Sequence, residues 1–222
     1  MHGPRIGCGV WRIGIQIIDL FIREGVIRLR VIAGENKGRA LRTVSSKRTR
    51  PTTDKVKETI FNMIGPYFQG GAVLDLYAGS GGLALEALSR GADQAIFVDK
   101  AGPACQMIRE NIAACGYTDC SRLFHLDAKQ ALGKLSAEGW NFDFVFLDPP
   151  YAKQTLIHDI QFLLENGLLA PQAVIVAEYE DSVQLPDSFS NRLNRWKYKT
   201  YQGKTAVSIY RFESENVGSE RE

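Results

Sequence analysis

The sequence predicts an α/β fold, doubly wound around a mostly parallel seven-stranded sheet that ends in an antiparallel hairpin. Short apolar runs recur along the chain without polar alternation, as is typical of strands buried on both faces. Helical stretches lie between these runs, and parallel neighbours require such crossovers. The last two runs instead alternate around a glycine, which predicts the hairpin.

Five parallel strands and two hairpin strands make up the seven. The parallel strands are predicted at residues 72–77, 94–99, 123–126, 142–147 and 173–178. The helices between them are predicted at residues 83–90, 101–115, 128–135 and 153–168. The hairpin strands are residues 194–201 and 205–212, joined by Gln202 and Gly203. An earlier helix begins after the capping residues Thr52, Thr53 and Asp54.

The composition excludes several protein classes before any motif is considered. The 222 residues are 45% hydrophobic and 23% charged, unlike disordered, collagen-like or disulfide-stabilised chains. The four cysteines and three histidines lack metal-ligand spacing, so we expect no metal site. Unpaired cysteines are typical of a reducing compartment, and we therefore expect a cytoplasmic protein.

Positive charge is concentrated near the N terminus, although the whole chain carries only +2. Residues 28–57 hold ten lysines and arginines against two acids, and the residues after 57 sum to −7. A basic segment on an acidic body is typical of an arm that contacts phosphates. A solvated basic leader is the alternative, but the interleaved apolar residues favour an arm.

These patterns divide the chain into four parts. We interpret residues 1–28 as an over-called translation start or an extra N-terminal segment. Residues 10–22 are apolar but too short for a membrane span, and they lack a signal-peptide cleavage site. Residues 29–57 form the basic N-terminal extension, residues 58–212 the α/β domain, and residues 213–222 a flexible polar tail.

A glycine-rich loop follows the first predicted strand. Gly79 and Gly81 would let a ligand approach the backbone at the start of a helix. With Ala84, and with Asp99 twenty residues after Gly79, they also satisfy a loose dinucleotide fingerprint. Asp75 argues against a dinucleotide, because a carboxylate would face a pyrophosphate poorly. It would instead suit a cationic group such as the ammonium of S-adenosylmethionine.

Two further acids follow the next two strands. Asp99 lies where an acidic side chain reaches ribose hydroxyls, and it could equally cap the helix that follows. Asp127 could accept a hydrogen bond from an adenine amine, and a helix cap is as good an explanation. Both acids lie at the carboxyl ends of strands, where ligands of such sheets bind.

The fourth strand ends in the tetrapeptide Asp148-Pro149-Pro150-Tyr151. Two prolines fix the backbone and remove two N–H donors, which leaves carbonyls as the available polar groups. Acceptors from Asp148 and the Pro149 carbonyl suit an exocyclic nucleobase amine, whose nitrogen they would aim at an electrophilic methyl group. Tyr151 could stack on a base flipped out of its helix. An ordinary proline-rich turn is the alternative.

Together these motifs resemble the class I, Rossmann-like methyltransferases that use S-adenosylmethionine to modify amino groups. The resemblance narrows to the RsmD family, which methylates N2 of a guanine in bacterial 16S ribosomal RNA. It is carried by the segments RVIAG (30–34), GR (38–39), RPTTDKVK (50–57), LEALSRG (85–91) and KTA (204–206). It extends over about residues 29–212.

The resemblance implies a role for each matching residue. The cofactor would be bound by Asp75, Tyr77, Ala78, Gly79, Ser80, Gly81, Asp99, Lys100, Asp127 and Ala128. The catalytic residues would be Asp148, Pro149, Pro150 and Tyr151. RNA phosphates would be contacted by Arg30, Lys37, Arg39, Arg42, Lys47, Arg48 and Arg50.

The chain departs from the family pattern at three places. Tyr77 stands where phenylalanine is usual, residues 82–84 read Gly-Leu-Ala rather than Ala-Leu-Gly, and Asp99 replaces a common glutamate. The shorter acid at position 99 would lengthen its bond to the ribose. None of the three removes a catalytic group.

The expected partner is 16S ribosomal RNA within a partly or fully assembled small subunit, with no membrane and no obligate protein partner. Three other functions remain open at this stage. The closest is an amino-methyltransferase acting on DNA adenine or on protein. A dinucleotide-dependent oxidoreductase would explain the glycine loop, and a non-catalytic RNA-binding assembly factor would explain the basic segment.

Overall fold

The computed structural model describes residues 29–43, 54–149, 152–201 and 204–212. Several sequence predictions lie outside these residues. They are the N-terminal segment 1–28, three of the basic residues, half of the proline-rich tetrapeptide, the hairpin turn and the tail 213–222. The residues concerned are Lys47, Arg48, Arg50, Pro150, Tyr151, Gln202 and Gly203, and the predicted helix-capping residues Thr52 and Thr53 lie outside the described residues as well.

Strands and helices alternate in the predicted order. The helices are α1 (Asp54–Ile64), α2 (Gly82–Ser89), α3 (Gly102–Cys115), α4 (Ala128–Ala137) and α5 (Ala152–Glu165). The parallel strands are β1 (Ala72–Asp75), β2 (Gln94–Asp99), β3 (Ser121–His125), β4 (Phe142–Leu147) and β5 (Leu169–Glu180). The last strands are β6 (Ser188–Phe189), β7 (Leu193–Tyr201) and β8 (Thr205–Phe212). None of the described helices is long and apolar enough to cross a membrane.

One eight-stranded sheet runs through the molecule in the order β3-β2-β1-β4-β5-β8-β7-β6. The first five strands of this order are parallel, and β8, β7 and β6 are antiparallel to their neighbours. The sequence predicts seven strands, and the structure adds the two-residue strand β6 at the edge. Strand β1 ends at Asp75, two residues before the predicted end, because Leu76 already begins the glycine loop.

Alternate side chains of the sheet enter two separate apolar layers. Helices α4 and α5 pack on one side, against residues such as Leu74 and Leu147. Helices α1, α2 and α3 pack on the other side, against residues such as Val73, Phe97 and Phe146. We call this second side the α1–α3 face.

The described part of the basic extension is built into the α1–α3 face. Leu29, Val31 and Leu41 are buried there with the core side chains of α1 and α2. At Gly34, where φ is +82°, a Cβ atom would lie 1.6 Å from the carbonyl oxygen of Ser89. Residues 29–43 are thus packed on the domain, and the predicted division after residue 57 falls inside α1.

A buried ion network holds this segment in place. The Glu86 carboxylate accepts hydrogen bonds from the backbone N–H groups of Ile32 and Ala33 at 2.7 and 2.9 Å. It also pairs with Lys57 at 3.3 Å and with Arg90 at 2.8 Å, and all three charged side chains are buried. Burial lowers the pKa of Lys57 below its ordinary value, and the Glu86 carboxylate opposes this shift. Pairing therefore offsets part of the cost of burying these charges, and removing Glu86 would leave two buried cations without an anion.

The C-terminal end of α1 is capped by the hairpin. Lys197 Nζ donates to the Met63 carbonyl at 2.7 Å, and Arg211 Nη2 donates to the Ile64 carbonyl at 3.5 Å. Both cations also lie over the Trp196 ring, 3.7 and 3.6 Å from its centroid. They offset the negative end of the helix dipole, which has no basic residue in its own last turn.

Candidate active site

Four carboxylates lie at the carboxyl ends of neighbouring strands. Asp75 and Asp99 end β1 and β2, Asp148 follows β4, and Glu178 lies near the end of β5. The first three are predicted from the sequence, and Glu178 is not. Because parallel strands end at the same edge of a sheet, these carboxylates lie along one edge, and we call the region in front of this edge the cleft.

Asp75 is a buried acid with few internal partners. Its side chain is 4% exposed, and it accepts one hydrogen bond, from the Ala84 backbone N–H at 3.3 Å. Burial raises the pKa of Asp75 to about 7, and Asp99 adds to the rise while the Ala84 bond opposes it. A cation from a ligand would stabilise the charged form of this carboxylate.

The glycine loop has the backbone geometry that its sequence predicts. Gly79 and Gly81 have φ angles of +55° and +77°, in the left-handed region that favours glycine. A Cβ atom added at Gly79 would meet no heavy atom within 4 Å, so a ligand can approach the backbone there. At Gly81 a Cβ atom would lie 3.0 Å from the Phe97 ring. Ala78 anchors the loop by donating to the Val98 carbonyl at 2.9 Å.

Asp99 and Asp127 both bond to backbone N–H groups. Asp99 accepts from Gly79 at 2.9 Å and from Ala101 at 2.8 Å, so it fixes the glycine loop and the approach to α3. Asp127 caps α4 by accepting from Gln130 at 2.9 Å, directly before the first helical residue. A carboxylate has about four lone-pair sites, so these bonds leave acceptor capacity for a ligand.

Lys100 and Ala128 are the neighbouring residues predicted to bind the cofactor. Lys100 is exposed, and its backbone carbonyl lies 3.2 Å from Nε2 of His125. Ala128 is partly buried as the first residue of α4. Both residues therefore lie beside the acids at the carboxyl edge of β2 and β3.

Tyr77 connects the glycine loop to the helix after the proline-rich segment. Its hydroxyl donates to Asp159 on α5 at 2.6 Å, and His158 Nδ1 lies 3.5 Å from the other oxygen of that carboxylate. Asp159 is 3% exposed, and burial raises its pKa although both neighbours lower it. No sequence signal marks Asp159, because its partner lies 82 residues earlier.

Asp148 and Glu178 lie side by side at the ends of β4 and β5. The last register pair of these strands is Leu147 with Ala177, so the next residues are Asp148 and Glu178. Surrounding protein raises the pKa of Asp148 above its usual range, and Glu178 and Asp75 add to the rise. Asp148 nevertheless keeps solvent-accessible surface, while Pro149 is buried. Because Asp148 is exposed, water offsets part of the burial effect, to which the neighbouring carboxylates add.

Asp75, Asp148 and Glu178 belong to the same side of the sheet. Asp75 pairs with Phe97 and Phe146, whose rings lie in the α1–α3 face. Asp148 follows Phe146 by two residues, and Glu178 lies beside Asp148 in the register of β4 and β5. Because side chains alternate between the two sides of a sheet, Asp148 and Glu178 are directed to the α1–α3 face as well. The packed residues 29–43 border the same face, so the basic segment and the cleft are neighbours.

Four of the seven residues predicted to contact RNA phosphates are described, and all four are exposed: Arg30, Lys37, Arg39 and Arg42. Arg30 pairs with Asp54 at 2.8 Å and Arg42 with Glu110 at 2.5 Å. Exposed pairs of this kind contribute little to stability, so phosphates could replace the acids at low cost.

Asn111 joins the basic segment to the glycine loop from inside α3. Its Oδ1 accepts from the Arg42 backbone N–H at 2.8 Å, and its Nδ2 donates to the Arg42 carbonyl at 3.0 Å. The same Nδ2 donates to the Ser80 carbonyl at 2.9 Å. Asn111 is 1% exposed, and nothing in the sequence marks it because its partners lie far away in the chain.

The parallel sheet with its antiparallel C-terminal strands and this loop arrangement is the α/β methyltransferase fold, as the comparisons with solved structures also show. The chain belongs to the family described as conserved hypothetical protein 95, whose model matches residues 29–211.

Named relatives cover most of the chain. It is 46% identical over 189 residues to "Putative rRNA methyltransferase YlbH" of Bacillus subtilis (strain 168), covering 82% of this chain and 98% of the relative. It is 35% identical over 193 residues to ribosomal RNA small subunit methyltransferase D of Escherichia coli (strain K12), covering 86% and 94%. A solved structure, "Putative methyltransferase yhhF from Escherichia coli", has a TM-score of 0.73 at 33% identity, covering 85% and 99%.

Proposed function

We propose that the protein transfers a methyl group from S-adenosylmethionine to the exocyclic N2 amine of a guanine in 16S ribosomal RNA. Relatives at 46% and 35% identity carry rRNA methyltransferase names, and the chain spans nearly their whole length. The observation that supports the chemistry best is the position of Asp148 and Pro149. They lie one strand from Asp75 and the glycine loop, at the same edge of the sheet.

The cleft fits S-adenosylmethionine chemically. Asp75 offers a buried carboxylate for a positive group, Gly79 leaves open space beside its backbone, and Asp99 has acceptor capacity for hydroxyls. The cofactor supplies an electrophilic methyl group on a positively charged sulfur. A pyrophosphate-containing dinucleotide would instead bring negative charge next to Asp75.

The residues at the end of β4 suit an amine substrate. The Asp148 carboxylate and the Pro149 carbonyl can accept the two N–H bonds of an exocyclic amine and fix the direction of its lone pair. When the nitrogen gains the methyl carbon it must lose a proton. The raised pKa of Asp148 makes its carboxylate a suitable proton acceptor. Positioning and proton transfer are therefore the contributions of this chain.

The RNA is proposed to cross the basic segment and enter the cleft from the α1–α3 face. Arg30, Lys37, Arg39 and Arg42 would contact phosphates, and the family resemblance implies the same role for Lys47, Arg48 and Arg50. The name of the Escherichia coli relative points to small-subunit RNA, and we propose a partly or fully assembled small subunit as the substrate. Such a substrate implies action in the cytoplasm.

The test is transfer of labelled methyl from S-adenosylmethionine to three substrates. These are small ribosomal subunits that lack the modification, naked 16S RNA, and duplex DNA. Asp148→Ala is expected to keep cofactor and RNA binding and to lose at least about 100-fold in turnover. Asp119→Ala, an exposed acid just before β3, is the matched control.

Each outcome has a defined meaning. Label recovered as N2-methylguanine from RNA supports the proposal and identifies the assembly state that is used. Label in adenine or in DNA would assign a different amine substrate. Binding of S-adenosylmethionine without methyl transfer to any of the three substrates would contradict the proposed RNA methylation. Binding of a nicotinamide dinucleotide without binding of S-adenosylmethionine would indicate that the glycine loop belongs to an oxidoreductase.

A further inference from the structure

The Glu178 carboxylate lies beside Asp148 but is not one of the groups proposed to hold the substrate amine. Glu178 is half-buried in β5, directly after the residue that pairs with Leu147. Strand alternation directs it to the α1–α3 face, as it does Asp148. Neighbouring parallel strands lie roughly 4.8 Å apart, so the two carboxylates face the same small volume.

The Watson–Crick edge of guanine has donors at two adjacent positions. N1 carries a hydrogen, and the neighbouring N2 amine carries two. A row of acceptors is therefore complementary to guanine. Adenine has an unprotonated N1 whose lone pair would point at a carboxylate, and repulsion would follow.

We propose that Glu178 is a specificity-determining residue whose carboxylate accepts the N1–H of the target guanine while Asp148 and Pro149 hold the N2 amine. This inference rests on the proposed function. The spacing of neighbouring strands is of the same order as the spacing between groups on a base edge. The register of β4 and β5 carries this placement, and the contribution of Glu178 to the raised pKa of Asp148 is consistent with it.

Glu178 also has a suitable structural setting for this role. Its strand is hydrogen-bonded on both sides, to β4 and to β8, where Glu178 pairs with Val207. Hydrogen bonds to strands on both sides hold the backbone of Glu178 in place, so its side chain starts from a fixed position. A residue in a flexible loop lacks this constraint. Discrimination at N1 requires this precision, because it depends on whether that one nitrogen carries a hydrogen.

The test uses 16S RNA carrying one substituted nucleotide at the mapped target and reconstituted into small subunits. The substitute is 2-aminopurine, which keeps the N2 amine but has an unprotonated N1. We compare kcat/KM for guanine and for 2-aminopurine in the wild-type protein and in Glu178→Gln. The amide NH2 can donate to the 2-aminopurine N1, whereas the amide oxygen is a weaker acceptor of the guanine N1–H than a carboxylate. The variant should therefore lose guanine activity and gain relative activity on 2-aminopurine.

The expected change in the guanine-to-2-aminopurine ratio is about 5- to 150-fold, the range of one specific base contact. Taking this ratio cancels effects of the altered base that are common to both proteins. Glu180→Gln, an exposed glutamate on the same strand, should leave the ratio unchanged. Cofactor binding measured by calorimetry, with unchanged affinity in Glu178→Gln, excludes a damaged fold.

The two kinds of failure are distinguishable. An unchanged ratio in a well-folded Glu178→Gln overturns the role of Glu178 and leaves N2 methylation intact. Absence of N2-methylguanine with the wild-type protein overturns the proposed function itself. If Glu178→Gln does not fold, Glu178→Asp provides the test. Its shorter carboxylate should reduce kcat/KM for guanine at least about tenfold without changing that for 2-aminopurine, and equal losses on both bases would overturn the inference.

Discussion

Glu86 and Asp75 are both buried acids of the α1–α3 face, but they differ in the number of cations and hydrogen-bond donors around them. Glu86 is 0% exposed and is surrounded by two cations and two backbone donors. Asp75 is 4% exposed and accepts one long hydrogen bond. A fully partnered acid holds elements of the fold together. An under-partnered acid instead takes up a proton more readily, as the raised pKa of Asp75 shows, and a cationic ligand would favour its charged form.

The largest effect is expected from Glu86→Ala. Removing this carboxylate leaves Lys57 and Arg90 as buried charges without their partner, and it frees the N–H groups of residues 32 and 33. We expect a loss of about 3–5 kcal/mol in the free energy of unfolding, measured by urea denaturation. Glu110→Ala, which removes a partly exposed partner of Arg42, is the control and should change stability little. Equal stability of the two variants would contradict the anchoring role.

Asp75→Asn should increase the stability of the folded protein, whereas Glu86→Ala should decrease it. The folded pKa of Asp75 is raised from 3.8 to about 7, so ionisation destabilises the folded protein progressively between these pH values and fully above them. The variant should therefore melt at a higher temperature than the wild type at pH 8 and at the same temperature at pH 4. Its affinity for S-adenosylmethionine should fall about 10- to 100-fold. Lower thermal stability at pH 8 would contradict this assignment.

The pH dependence of cofactor binding sharpens the same point. A cationic ligand binds the ionised form of Asp75, so below about pH 7 it must displace a proton. The affinity attributable to Asp75 should decrease about tenfold per pH unit below 7 and level off above. Calorimetry in buffers of different ionisation enthalpy should detect proton release near pH 6. A pH profile of Asp75→Asn identical to that of the wild type would assign the titration to another group.

Asn111→Leu tests the link between the two regions. The change removes three hydrogen bonds that join Arg42 and Ser80 to α3. We expect a loss of about 1–3 kcal/mol in stability and a rise in KM for the cofactor, because the Ser80 carbonyl loses its donor. Asn166→Leu, at an exposed position after α5, is the matched control. A stability loss without any change in KM would confine Asn111 to a structural role.

The smallest effect is expected from Tyr77→Phe. It removes the hydroxyl that donates to Asp159 and restores the residue typical of the family, so the ring packing should survive. We expect a loss of about 1 kcal/mol in stability. The pKa of Asp159 should rise further, because a bond that favours its charged form is removed. Tyr67→Phe, at a largely exposed ring, controls for the substitution.

The sequence predicted what is encoded locally. Apolar runs marked the parallel strands to within a few residues, and the glycines and Asp148-Pro149 marked the loops because their backbone chemistry depends on adjacent residues. The rule that ligands bind at strand ends also located Asp75 and Asp99. Glu178 could have been found by the same rule, since it ends the predicted fifth strand.

What the sequence did not reveal depends on contacts between distant segments. Glu86 accepts from backbone groups that lie 54 and 53 residues earlier, and Asn111 contacts Arg42 across 69 residues. No local pattern distinguishes these residues from exposed polar positions on a helix. Strand β6 contains two residues, too few to show periodicity.

The contact between α1 and the hairpin has a consequence for the order in which the molecule is completed. Lys197 and Arg211 follow the carbonyls that they contact by 134 and 147 residues. A nascent chain leaves the ribosome N terminus first, so α1 emerges long before the strands that cap it, and closing so long a loop is slow. The end of α1 therefore acquires its cap only after translation is nearly finished. A chain stalled before β7 would expose the strand that carries Glu178 as an unprotected sheet edge, a site of misassembly during synthesis.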